Sequence, residues 1–350
     1  MADETATYKC KNCGGEVRFN VKEQKFMCEA CRAECTPETE NDTVTEKDFN
    51  IQKMLVSSAE LSGVKTATCE SCGGEIFFDD KETAAHCPMC GSAQIRQNAA
   101  KVIITPDGIV PFAVDASDAQ QSFRKFISKR FFAPSALKNA FEEGKLEGWY
   151  MPFWTFDADA SAAYTGDGSK SVKVMKEGKE TTETKWYPVR GRVEKSFNDV
   201  LVCAAGNNSR KMTDRLTDYD TSAVKPYSSQ YLRGYLAEYR SVEAGDAFER
   251  AKYLMNEKLE QEANGEIRER YTSARGTKMK SAFSNVTCKN IMLPLYRASY
   301  SYTGKLYDYI INGQTGTVSA NYPKSAVKII LTILAVAAVI AGIVLLTKLR

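Results

Sequence analysis

The sequence predicts an α+β protein in three parts: two small N-terminal zinc ribbons, a central domain mixing helices with antiparallel strands, and one C-terminal transmembrane helix. Three observations carry this reading. A cysteine pattern occurs twice, helical and strand periodicities alternate through the middle, and an apolar run without charge lies near the C-terminal end. The boundaries expected are 1–35 for the first ribbon, 36–66 for a linker, 67–97 for the second ribbon, 101–323 for the α+β domain and 327–347 for the membrane helix.

Nine of the eleven cysteines precede residue 91. Cys10, Cys13, Cys28 and Cys31 form two CxxC pairs fourteen residues apart, and Cys69, Cys72, Cys87 and Cys90 repeat the spacing 59 positions later. Cys13-Gly-Gly-Glu-Val-Arg-Phe is matched by Cys72-Gly-Gly-Glu-Ile-Phe-Phe, so the module is duplicated. A CxxC pair supplies one edge of a tetrahedron of thiolates, and a second pair returned by a hairpin completes it at about 2.3 Å per Zn–S bond. Val17, Phe19 and Val21 alternate as in a strand, and Lys22 to Lys25 form a polar turn before Phe26 and Met27. Two Zn2+ ions are therefore expected, one per set of four cysteines; iron accepts the same ligands. Disulfides would require export, and Met1 to Tyr8 reads as no signal peptide. Gly14, Gly73 and Gly91 follow the second cysteine of three pairs, whereas Arg32 occupies that place in the fourth. Cys35 reads as a spare thiol, His86 as a non-ligand, and Cys203 and Cys288 as small buried hydrophobes.

Residues 36–66 read as a polar linker with a short helix near Phe49 to Leu55. Val102 to Ile104 and Ile109 to Phe112 predict strands around a Pro106-Asp-Gly turn. Asp118 to Arg130 predicts an amphipathic helix, apolar at Ala119, Phe123, Phe126 and Ile127 and basic opposite. Gly148-Trp-Tyr-Met-Pro-Phe-Trp-Thr-Phe opens an aromatic strand, in which Asp157 and Asp159 share an exposed face. Tyr164-Thr-Gly-Asp-Gly-Ser reads as a loop, and Trp186 to Ala204 as two strands broken at Asn198-Asp199. Helices are predicted over Gln230 to Val242 and Ala247 to Tyr271, the second with Phe248, Ala251, Met255, Leu259 and Ile267 on one stripe. Ile291 to Val318 is strand-rich with a turn at Asn312-Gly313, and Met151-Pro-Phe-Trp is echoed by Leu293-Pro-Leu-Tyr. Ile329 to Thr347 carries no charge and is long enough to cross a hydrocarbon core of about 30 Å. Followed by Lys348, Leu349 and Arg350, it reads as a tail anchor holding residues 1 to about 325 on the cytoplasmic side of the cell membrane.

Function classes narrow on absences of motif. No GxxxxGK[ST], GxSxG, HExxH or GxGxxG occurs, and a Ser/His/Asp or Cys/His constellation would have to use the single histidine, His86, which argues against familiar hydrolases. No catalytic residue is assigned. Charge argues against nucleic acid as the ribbons' ligand: residues 1–100 hold 11 Lys and Arg against 17 Asp and Glu, and each four-thiolate zinc site adds two negative charges. Residues 101–323 hold 32 basic against 27 acidic groups, an excess that suits anionic lipid. The expected role is a non-catalytic, membrane-anchored adaptor whose ribbons dock proteins; the alternative is a tethered nucleic-acid binder without a motor.

The paired ribbons, Gly148-Trp-Tyr-Met-Pro-Phe-Trp-Thr-Phe, the Pro294-Leu-Tyr and Tyr302-Thr-Gly-Lys-Leu-Tyr-Asp-Tyr segments, Asn312-Gly-Gln-Thr-Gly and the terminal span together resemble a group of bacterial tail-anchored membrane proteins. Their names often borrow "TFIIB-type zinc ribbon" or "primosomal replication helicase". The resemblance covers nearly the whole chain and implies metal ligation by the eight paired cysteines. It also implies partnership with SPFH-domain and phage-shock-A-type proteins in envelope stress. The helicase label rests on the zinc motif alone.

Overall fold

The computed structural model describes residues 9–37, 43–50, 65–70, 75–78, 95–97, 105–138, 146–176, 179–206, 213, 216, 218–303 and 305–348. The predicted α+β class holds. The first ribbon is a three-stranded antiparallel sheet of β1 (Val17–Asn20), β2 (Lys25–Cys28) and β3 (Glu34–Cys35). A polar turn separates β1 from β2, as the alternation of Val17 and Phe19 requires. β4 (Lys47–Asp48) follows from within the expected linker and pairs with a strand of the central sheet. Phe49 beside it is buried against Phe156 and Phe248, so this stretch belongs to the core.

In the segment where a second ribbon is expected, the described residues form a small antiparallel sheet of β5 (Lys65–Cys69), β6 (Glu75–Phe78) and β7 (Ile95–Gln97), ordered β6-β5-β7. One pairing recurs at the 59-residue offset: Lys9 bridges Glu16, and Thr68 pairs with Glu75. The expected strand at Val102 to Ile104 lies outside the described residues.

The central domain is organised by three very long strands. After β8 (Gly108–Ile109) and helix α1 (Ala116–Ser128) come β9 (Glu147–Lys176) and β10 (Lys179–Cys203). Short β11 (Lys225–Pro226) and β12 (Leu236–Ala237) precede helix α2 (Ala244–Arg270), then β13 (Ser273–Tyr302), β14 (Lys305–Asn312) and β15 (Val318–Ala320). Helix α3 (Ala326–Lys348) follows. The main sheet runs β10-β9-β13-β14-β15, and β4, β8 and β14 successively edge β13. At 30 residues each, β9 and β13 extend roughly 100 Å. The echoing segments lie side by side in this sheet: Met151 pairs with Leu293 and Pro152 with Met292.

Burial explains the lengths. Residues 149–156 are buried on both faces, with Trp149, Met151 and Phe153 in one cluster and Trp154 and Phe156 in another. From Ala158 to Tyr164 only alternate residues are buried, and Ala158, Ala160 and Ala162 are small enough for α2 to lie close on that face. The helix answers with Ala247, Ala251, Met255, Leu259, Ala263 and Ile267, a stripe of four-residue steps. Asp157 and Asp159 point from the other face, Asp159 exposed as predicted and Asp157 half-buried.

Three local expectations are corrected. Tyr164-Thr-Gly-Asp-Gly-Ser is strand, because Gly168 makes room for the Tyr271 ring: a Cβ there would stand 2.3 Å from it. The break at Asn198-Asp199 is a bulge inside continuous β10, with Asp199 at φ 52°. Gln230 to Val242 is not a helix. A 3-10 turn at Ser229–Leu232 ends before Gly234 at φ 82°, and Tyr231 and Tyr235, spaced as helical neighbours, pack on different partners. Tyr235 stacks on Phe112 at 4.2 Å, and Tyr231 meets the first ribbon.

Candidate metal centre

Cys10, Cys13, Cys28 and Cys31 converge, their sulfurs all within 4.8 Å of one another. Cys10 Sγ stands 3.6 Å from Cys31 Sγ, and Cys13 Sγ 3.4 Å from Cys28 Sγ. Four sulfurs about 2.3 Å from one ion sit about 3.8 Å apart at the tetrahedral angle, so these separations suit a metal and none is a disulfide. The quartet could hold a metal ion.

Both corners are built alike. Cys10 N–H donates to Gly15 O at 2.8 Å and Gly14 N–H to Cys10 O at 2.8 Å; Cys28 N–H donates to Ala33 O at 3.0 Å and Arg32 N–H to Cys28 O at 2.9 Å. Each turn needs a left-handed residue: Gly14 at φ 73° and Arg32 at φ 58°. Arg32 thus keeps the geometry of the other corner, at a backbone cost of about 1–2 kcal/mol. Gly15 has a role its sequence context did not signal. A Cβ on it would lie 3.1 Å from Cys28 Sγ, 3.3 Å from Cys13 Sγ and 2.9 Å from Ala30 Cβ.

Electrostatics give the quartet its appetite for a cation. Backbone N–H groups of Asn12 and Cys13 lower the Cys10 pKa to about 6, and that of Cys31 lowers Cys28. Cys31 goes the other way, to about 12: the Ala33 N–H favours its thiolate, but Cys13, burial, Cys10 and Cys28 together outweigh it. Four thiolates cannot coexist this closely without a central positive charge. Cys35 stays outside the quartet, half-buried, with Sγ donating to Ala33 O at 3.6 Å. Cys203 and Cys288 are fully buried in apolar clusters, as expected. Of the second set, Cys69 ends β5, whereas Cys72, Cys87, Cys90 and His86 lie outside the described residues.

The ribbon is not suspended on its linker. Phe19 and Phe26 pack on Tyr231 with ring centroids 5.1 and 4.6 Å away, and Cys10, Val17, Phe26 and Cys28 share one buried cluster with Phe112 and Tyr150. Gln24 Nε2 donates to Phe112 O at 2.8 Å, and Lys22 pairs at 3.0 Å with Asp115, the N-cap of α1.

A second group, Glu46, Asp157 and Asp199, also gathers within 4.8 Å. Lys289, 11% exposed in its side chain, reaches Asp199 Oδ1 at 2.6 Å and also pairs with Glu46. Asp157 accepts from Asp199 N–H at 2.6 Å, and Thr221 donates to Asp199 at 2.7 Å. Burial works against charge on both sides here, yet Lys289 is raised and Asp199 lowered, as in an ion pair; burial raises Glu46. An ammonium already serves two of these carboxylates, so the group ties the residue before β4 to β10 and β13.

At the other end, α3 is long and apolar enough to span a membrane, and none of its apolar window is buried against the chain.

The chain is similar to the protein of Bacillus subtilis (strain 168) called "Uncharacterized protein YdjG". The two are 25% identical over 327 residues, covering 92% of each chain. No family model matches, and no solved structure matches.

Proposed function

We propose that the protein is a membrane-anchored zinc-ribbon adaptor. Its ribbons each bind Zn2+ and recruit protein partners, the α+β domain is a rigid platform, and α3 holds both at the membrane with residues 1 to about 325 in the cytoplasm. The observation that carries this is the seating of the first ribbon on the platform through Phe19, Phe26 and Tyr231, which joins a metal-organised module to the domain that bears the apolar helix. Partners of the SPFH and phage-shock-A type are proposed on the resemblance.

Purification with neighbours from mild detergent tests it, comparing wild type with Cys13→Ser and Cys72→Ser. Protein partners recovered with wild type and lost with the variants are expected. An absence of partners refutes the adaptor. Salt-sensitive retention of DNA or RNA by the full chain would favour the nucleic-acid alternative instead, against the acidic balance of residues 1–100.

A further inference from the structure

The segment joining α1 to the platform lies against the first turn of α3. Ser325 N–H donates to Phe132 O at 2.8 Å, and Lys328 Nζ donates to Ala133 O at 2.7 Å. Lys328 Nζ also sits 5.9 Å from the Phe131 ring. Phe131 is therefore level with the start of the span, yet 67% exposed, a large apolar ring turned outward where a bilayer surface would be. Beside it, Arg130 lies over Phe126 at 4.3 Å and over Tyr322 at 5.9 Å, which holds its cation in place.

The charge of this corner is one-sided. Residues 119–134 and 319–328 carry Arg124, Lys125, Lys129, Arg130, Lys324 and Lys328 and no carboxylate, in a chain whose 47 basic and 44 acidic residues otherwise nearly balance. Lys125 and Lys129 are exposed and one helical turn apart, about 6 Å along α1. Both lie within roughly a Debye length of the level of Phe131, whichever way the helix inclines. An open surface depression along the same helix is lined by Gln121, Ser122, Arg124, Lys125 and Ser128, two cations beside the Gln121 amide and the Ser122 hydroxyl. That is the chemistry of a phosphate-bearing headgroup.

We propose that this corner is a second membrane contact: Phe131 inserts at the bilayer interface and the basic face of α1 binds anionic lipid headgroups. The inference rests on the reading of α3 as a membrane span and adds orientation to it. Hydrogen bonds join the first turn of α3 to residues 132 and 133, so the platform has little freedom to swing about its anchor. Seating a ring and four cations on the bilayer then fixes which side of the domain faces away. The first ribbon, through the Lys22–Asp115 pair at the other end of α1, is oriented with it.

The test uses the full chain in nanodiscs of phosphatidylcholine, alone or mixed with phosphatidylglycerol, carrying bromine on the acyl chains. Phe131→Trp adds a fluorophore at an already exposed site, and Tyr253→Trp, 53% exposed on α2, serves as control. Emission added at 131 is expected to be quenched, more strongly on the anionic bilayer, while that at 253 is not. Lys125→Glu with Lys129→Glu is expected to lower the docked-to-undocked ratio at least about tenfold on anionic lipid. Absence of quenching at 131, equal quenching on both bilayers, or indifference to the double reversal overturns the proposal when the chain still resists carbonate extraction. Release by carbonate overturns the span reading itself.

Discussion

Tyr231→Ala is the sharpest probe of whether the metal centre and the platform act as one body. Tyr231 is 7% exposed and touches both Phe19 and Phe26. Two aromatic pairs contribute about 1–3 kcal/mol beyond area burial, and removing a buried ring costs about 3–5 kcal/mol in all. The polar contacts that remain are the Gln24–Phe112 hydrogen bond and the Lys22–Asp115 pair, whose lysine side chain is 76% exposed and which therefore contributes little. A loss of about 3 kcal/mol raises the undocked population on the order of a hundredfold. The assay is hydrogen exchange over residues 17–28 together with the rate at which a chelator strips metal, measured in a Cys72→Ser background so that the first site alone is read. Both should accelerate strongly in Tyr231→Ala and stay near wild type in Tyr231→Phe, which keeps the ring. If exchange and chelation in Tyr231→Ala remain within about twofold of wild type, the ribbon is held by something other than this aromatic seat.

Gly15→Ala should weaken metal binding at the first site by roughly 10- to 100-fold in competition titrations, because its Cβ would press on two ligand sulfurs. Leu259→Ala, at a fully buried position between α2 and the sheet, should cost about 2–5 kcal/mol and lower the thermal midpoint without touching metal content. Asp115→Asn keeps a capping oxygen but loses the charge. The Asp118 N–H and then Lys22 hold the Asp115 pKa below its usual value, so the carboxylate stabilises the fold above about pH 4 and ceases to as pH falls through the lowered folded-state value. Wild type should therefore exceed Asp115→Asn in stability by up to about 1 kcal/mol at neutral pH, with the gap closing under acid. Unfolding curves that stay parallel across that range would contradict the assignment.

Much of the candidate site was legible because it is written in spacing. Two CxxC pairs fourteen residues apart suffice to place four sulfurs around one point, and the 59-residue repeat reappears in one matching residue pair, Lys9–Glu16 and Thr68–Glu75. Arg32, which departs from the glycine pattern, nevertheless adopts the left-handed turn, because the Cys28–Ala33 and Arg32–Cys28 hydrogen bonds impose it. Gly15 escaped notice because its constraint comes from sulfurs across the hairpin. Two of the three misread segments share a cause. Tyr231 and Tyr235 have helical spacing, and Gly166 and Gly168 have loop composition, but distant aromatic partners decide the backbone at both.

The sequence alone determined the thiol quartet, the two long helices and the apolar span, since each is set by periodicity or by ligands close in the chain. Tertiary structure decided that the linker's Phe49 enters the core, that β9 and β13 run unbroken for 30 residues, and that the first ribbon sits on the platform. It also decided that Phe131 stands beside the first turn of α3. These depend on contacts between residues tens to hundreds apart, whose energies come from complementary burial and leave no local pattern to read.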